Sequence, residues 1–206
     1  MTSDPLVLFL ITLGAYLMGS VSFAVLVSQV MKLPDPRSFG SKNPGATNML
    51  RGGSRLGAAI VLLGDAVKGW LAVWLAIHVL VPLGMIAEGA VALVAIAVFL
   101  GHGYPVFFRF KGGKGVATAL GILLALNPLM GLCSLVVWLS VMAVTRISSL
   151  SALCTSLATP FFGLFFLQTW LLRGTVFLLA VILLLHHHAN IRKLLAGQET
   201  IFRQRE

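Results

Sequence analysis

Acidic side chains are scarce: Asp and Glu number 6 against 15 Lys and Arg, for a formal net charge of +9. No carboxylate cluster is left that could hold a hard metal ion. The two cysteines, Cys133 and Cys154, lie in apolar runs without CxxC or CxxH spacing, so neither a disulfide nor a metal is implied. Charge of either sign is thin, at 10% of residues, while 58% are hydrophobic and the mean hydropathy is +0.98. Those values exclude a soluble globular domain and leave an integral membrane protein. Outside the apolar runs there is no basic module interleaved with aromatics, which excludes nucleic acid as a partner. Before its first apolar run the chain carries Asp4 and no Lys or Arg, and no A-x-A site follows. The run is expected to stay as a span rather than leave as a signal peptide.

What is present is a series of apolar runs, at 6–31, 54–81, 84–108, 115–127, 129–145, 148–168 and 174–188. Only Asn127-Pro128 parts the short fourth run from the fifth, and the placement of charge decides how to count them. Lys32, Arg37, Lys42, Arg51 and Arg55 follow the first run, Arg109, Lys111 and Lys114 the third, and Arg192, Lys193, Arg203 and Arg205 the last. With seven spans these and Arg146 share one face, leaving Arg173 outside and Lys68 within a span. The positive-inside rule makes that face cytoplasmic, with the N-terminus out and the C-terminus in. The expected fold class is therefore an all-α integral membrane protein of seven transmembrane helices, one domain over 1–206, with no sign of an internal repeat.

Three polar patches fall on the basic face. In "GSKNPGATNMLR", Ser41 and Thr47 supply hydroxyls, Asn43 and Asn48 amides, and Arg51 a guanidinium able to grip an anion through two donors. In "FKGGKGVAT", Gly112, Gly113 and Gly115 surround Lys111 and Lys114 just before an expected helix, an arrangement suited to cradling phosphate. It is not a Walker A loop, because no Gly stands five residues before Gly113 and Gly115 follows Lys114. Taken alone, such a turn would equally serve as a tight loop with orienting cations. In "HHHANIRKLLAGQE", three consecutive histidines on a helix point about 100° apart, so they cannot share one metal ion. His187 and Asn190, at i and i+3, do share a face, and Glu199 beyond the helix is expected to partner a neighbouring cation.

Familiar catalytic arrangements are also missing. No His is followed five residues later by Asp, which excludes the H-x4-D acyltransferase pattern, and no G-x-S-x-G elbow occurs. Hydroxyl, amide, Arg, Lys, Gly and His remain, groups that bind phosphate and stabilise oxyanions. A site of that kind suits transfer from a donor already activated. A carrier for an anionic metabolite would use similar groups, but would place them near the membrane midplane rather than at one interface.

The patches "GSKNPGATNMLR", "GHGYPVFFRFKGGKGVAT" and "HHANIRKLLAGQE" resemble the three cytoplasmic motifs of the bacterial acyl-phosphate:glycerol-3-phosphate acyltransferases, the PlsY family. The resemblance runs from about Gly14 to Glu199. It implies a multi-pass enzyme of the bacterial inner membrane, its site facing the cytoplasm, that needs no metal and no cofactor. Its substrates would be acyl phosphate and glycerol 3-phosphate, and its products lysophosphatidate and phosphate, at the first step of phospholipid synthesis. Membrane lipid, a soluble enzyme that makes acyl phosphate and a second acyltransferase downstream are the implied partners. The resemblance places Ser41, Arg51, Lys114, His187 and Asn190 in catalysis, and Asn43, Thr47, Asn48, Lys111, Gly112, Gly113 and Gly115 in binding substrate or phosphate. Asp65 and Lys68 would brace the site from within the second helix, with Glu199 as further structural support. Lys42 departs from the pattern, standing where the family usually has Gly.

Overall fold

The computed structural model describes residues 4–201, so Arg203 and Arg205 of the basic tail lie outside the described residues. Among the described residues all regular structure is helical. Helix α1 (Pro5–Ser20) starts on the Asp4 carboxylate, which accepts from the backbone N–H of Leu6, and has Pro5 in its first turn, where a missing N–H costs nothing. It breaks at Val21–Ser22 and resumes as α2 (Phe23–Val30), bent by 45°. A short helix α3 (Ala46–Arg51) then leads into α4 (Arg55–Leu75), whose last turn runs on as a π-helical turn, Ala76–Leu80. Helix α5 (Val91–Gly103), α6 (Val116–Leu126), α7 (Pro128–Thr145), α8 (Ser148–Phe166), α9 (Trp170–His186) and α10 (His188–Leu195) follow.

Among the described residues, four helical stretches are long and apolar enough to cross a membrane: Arg55–Leu80, Glu88–Phe108, Pro128–Thr145 and Ser148–Phe166. Counting each bent pair as one span, α1 with α2 and α9 with α10, makes six. Every apolar run of the sequence is thus helical, but the fourth yields only the 11 residues of α6.

The helices cluster as two compact units, Met1–Leu126 and Asn127–Glu206. In lipid there is no hydrophobic drive between helices, so backbones must approach closely to gain dispersion. Glycines make that possible in the first unit. A Cβ on Gly121 of α6 would strike the carbonyl of Ala66 on α4, and one on Gly69 of α4 would strike the carbonyl of Thr118 on α6. Gly19 of α1 closes in the same way on Val98 of α5, and Gly101 of α5 on Tyr16. In the second unit, Asn127 caps α7 by accepting from Met130 N at 3.1 Å and donates to the carbonyl of Phe166 at 3.4 Å. Arg173 donates to the carbonyl of Leu167 at 2.9 Å and lies over the Trp170 ring, which secures the turn between α8 and α9.

Candidate active site

In the first unit, the two basic loops meet over one pocket. The loop between α2 and α3 is organised by Asn48, which is 1% exposed. Its amide donates to the carbonyls of Pro36 at 2.6 Å and Phe39 at 3.2 Å, and its oxygen accepts from the backbone N–H of Ser41 at 3.0 Å. Gly40 passes so close to this amide, at φ 55°, that a side chain there would meet Asn48 Oδ1. Ser41 and Lys42 are left exposed at the loop's outer edge, with Asn43, Thr47 and Arg51 half-buried. Lys42 holds φ 56°, the left-handed conformation that glycine adopts without strain.

Within that loop Asp35 and Arg37 make a two-pronged ion pair, with Nη2 to Oδ2 at 2.6 Å and Nε to Oδ1 at 3.0 Å. The guanidinium holds the Asp35 carboxyl below the usual carboxylate range, and Asp35 in turn raises Arg37. Because the carboxyl titrates lower when folded, the pair is complete above about pH 3.8 and is lost as acid carries the pH through the lowered value. Arg37 also sits 5.8 Å from the Phe108 ring centroid, touching the second loop.

The second loop, 104–115, is tied to α1: Tyr16 Oη donates to the carbonyl of Tyr104 at 2.6 Å, and Val106 N donates to Ser20 Oγ at 3.4 Å. Arg109 and Phe110 are both left-handed, at φ 54° and 59°, and this double turn throws Lys111 outward. Gly112 and Gly113 then fold back onto the end of α5. The N–H of Gly113, expected to turn toward a ligand, donates inward to the carbonyl of His102 at 3.1 Å. Gly113 therefore contributes closeness rather than a donor. Gly115, at φ 93°, rests on the Phe99 ring and starts α6.

Between the loops lies a pocket of about 820 Å³, lined by Arg37, Lys42, Arg109, Lys111 and Gly112 among others, with Asp35 as its acid. Of the sequence-expected residues, this pocket brings Lys111 and Gly112 together. Ser41, Asn43, Thr47, Asn48 and Arg51 shape or flank the first loop, and Lys114 is half-buried beyond the second. Arg37 and Arg109 were legible in the sequence only as orienting cations.

Beneath the second loop three ionisable side chains are buried. Lys68 Nζ is 2.8 Å from Asp65 Oδ1, the intrahelical pair the spacing suggests. It also donates to the carbonyl of Val21, at the break between α1 and α2, at 2.7 Å. His102 Nδ1 adds a third member, 3.5 Å from Asp65 Oδ1. In the sequence this histidine is one residue of the second motif and not a candidate for the site. Nothing local marks it, since its partner is on another helix.

In the second unit, the histidine triplet does not lie on one continuous helix. Helix α9 ends at His186, α10 begins at His188, and the axis turns by 58° at His187 between them. His187 is 2% exposed, His186 half-buried and His188 exposed. The expected inequivalence is present, but a bend produces it and not only the 100° step. His187 Nδ1 lies 2.8 Å from the carbonyl of Leu183. A carbonyl only accepts, so Nδ1 carries the hydrogen and the neutral ring presents Nε2 as its acceptor. Glu199 was expected beside a cation; among the described residues its Oε1 accepts instead from the Asn190 amide at 3.0 Å.

Residues 9–197 match the family model described as glycerol-3-phosphate acyltransferase. The chain belongs to that family. A glycerol-3-phosphate acyltransferase of Paraburkholderia phymatum is 54% identical over 191 residues, covering 93% of this chain and 90% of its own. One from Cupriavidus taiwanensis is 53% identical, covering 93% and 94%. Among solved structures, the crystal structure of PlsY, an integral membrane glycerol 3-phosphate acyltransferase, in its glycerol 3-phosphate form, is 32% identical. It superposes with a TM-score of 0.87 over 95% of this chain and 96% of that one. Its lysophosphatidic acid form gives a TM-score of 0.86 at 31% identity. This family member is a multi-pass membrane protein, with four to six candidate spans among its described residues where seven were expected.

Proposed function

We propose that this acyltransferase moves a fatty acyl group from acyl phosphate to the 1-hydroxyl of sn-glycerol 3-phosphate. The hydroxyl oxygen attacks the acyl carbonyl carbon, the bond from that carbon to the phosphate oxygen breaks, and inorganic phosphate leaves with the electron pair. The hydroxyl proton passes to a base, either His187 Nε2 or a substrate phosphate oxygen. Lysophosphatidate is the product. Solved relatives in glycerol 3-phosphate and lysophosphatidic acid forms support the same acceptor and product here.

The observation that carries this reading is the cationic pocket between the two loops of the first unit. Two anionic reactants must be brought together, and Arg37, Lys42, Arg109 and Lys111 offset their repulsion. A mixed anhydride already has a stable leaving group, so positioning and charge stabilisation suffice and no metal is required. On this reading Ser41, Arg51, Lys114, His187 and Asn190 act on the reacting groups. Asn43, Thr47 and Lys111 bind phosphate, while Asn48 and the glycines set the loops. We place the enzyme in the bacterial inner membrane with seven spans and its site toward the cytoplasm. There an enzyme making acyl phosphate supplies it and a second acyltransferase consumes its product. Purified protein given acyl phosphate and radiolabelled glycerol 3-phosphate should form labelled lysophosphatidate with a chelator present and no coenzyme. A strict need for acyl-CoA or for a divalent metal would overturn the mechanism.

A further inference from the structure

We propose that His102 is a positioning residue for the glycine-rich turn, holding Gly112 and Gly113 at the height from which Lys111 and Lys114 reach a phosphate-bearing substrate. The role rests on the function proposed above, and the geometry around the ring is what assigns it.

Asp65, Lys68 and His102 are 3%, 4% and 8% exposed, among helices that cross the membrane. Burying such groups is costly unless they are paired, and apolar side chains of similar size would pack as well. Here the trio joins three places that need fixing. Helix α1 has ended at Ser20 and α2 begins at Phe23, and the Val21 carbonyl in that break is met by Lys68 Nζ. Lys68 holds Asp65, and Asp65 faces the Nδ1 of His102.

His102 carries the chain of contacts into the loop twice. Its backbone carbonyl accepts from Gly113 N. Its ring also stands where a Gly113 side chain would be, with Nε2 the atom a Cβ would strike. The same Cβ would lie 3.2 Å from the Pro44 carbonyl of the first loop. A side chain on Gly113 would thus meet both the His102 ring and Pro44, so its backbone lies close against them, and Gly112 presses in the same way on the carbonyls of His102 and Gly103. If the ring turns away from Asp65, this support moves, and Lys111 and Lys114 move with it.

The test uses the full-length protein in detergent, with His102→Leu, which fills the space without a donor, and His102→Gln, which keeps an N–H that can reach Asp65. Two readouts are taken: KM and kcat for each substrate, and hydrogen exchange over residues 111–115. His102→Leu should raise the KM of at least one phosphate-bearing substrate about tenfold to a hundredfold and speed exchange across the loop, and kcat should fall with it, since Lys114 acts on the reacting groups. His102→Gln should restore both. A His102→Leu protein with wild-type KM and wild-type exchange overturns the proposal, as does one in which kcat alone falls. Should His102→Leu not fold, His102→Asn takes its place, since its shorter amide keeps the position of Nδ1 beside Asp65 but stops short of Gly113. The same rise in KM and faster exchange are then expected, and wild-type values of both overturn the proposal. If the wild type proves inactive with acyl phosphate, the functional reading fails, and exchange alone still decides whether His102 sets the loop.

Discussion

Asn48 holds three stretches of backbone with one amide, and its chemistry is directional. Two carbonyls face its nitrogen and one N–H faces its oxygen. Asn48→Ala leaves those groups to find water or go unpaired, a cost of about 1–3 kcal/mol. Asn48→Asp is worse despite its shape, because a carboxylate oxygen then confronts the carbonyls of Pro36 and Phe39. We expect Asn48→Asp to melt below Asn48→Ala in detergent, and the reverse order would show that the loop is held by other contacts. The histidines make a second residue-scale case. His187 is buried with its Nδ1 hydrogen committed to Leu183, so in the neutral ring Nε2 is an acceptor. His187→Ala should lose at least roughly a hundredfold in turnover if the ring is the base, while His188→Ala stays within about tenfold. His186→Ala is expected to stay within the same limit. Assays of the three purified variants at saturating acceptor check this, and a dead His188→Ala beside an active His187→Ala would refute it.

Helix α6 packs on α4 through glycine, and that contact sets the tolerance of the element. A methyl on Gly121 would overlap the Ala66 carbonyl, which belongs to backbone and cannot rotate aside. Gly174 in α9 has nothing within 4 Å of its would-be Cβ. Gly121→Ala should therefore lower the melting temperature in detergent by several degrees or more, while Gly174→Ala, with better helix propensity, should leave it unchanged or raise it slightly. Equal effects would mean that the α4–α6 approach is looser than described. At this scale the sequence was legible where structure is local: each apolar run became a helix, and Asn127-Pro128 marked the cap of α7. The break at Val21–Ser22 could not be read, because the group that satisfies it, Lys68, is 47 residues away. The bend at His187 was hidden by a triplet that reads as helix, and His102 by a partner on α4. Motif residues pointed to the two loops, but which of them line the pocket depended on two left-handed residues, Arg109 and Phe110, that no residue preference signals.

For the molecule in its membrane, everything turns on whether α6 crosses. At 11 residues it spans about 16 Å, against a hydrocarbon core of about 30 Å. Irregular backbone can supply the remainder only where protein covers it. The turn preceding α6 meets that condition, since Gly113 and Gly115 are buried and the Gly113 N–H is bonded to His102. Charge gives an independent argument. If α6 crosses, Arg146, Arg192 and Lys193 share a side with Arg37, Arg109 and Lys111; if it does not, they are stranded opposite, against the positive-inside rule. We therefore expect α6 with its buried glycine turn to be a full crossing. Single cysteines at Ser41, Lys111, Arg146 and Gln198, all exposed positions, should resist an impermeant thiol reagent applied from the periplasmic side, in a background with Cys133 and Cys154 replaced by Ala. Gln168→Cys, on the turn between α8 and α9, should react. Protection of Gln168→Cys together with labelling of Arg146→Cys and Gln198→Cys would make α6 a re-entrant segment. The tail and its histidine bend would then lie on the face away from the basic loops.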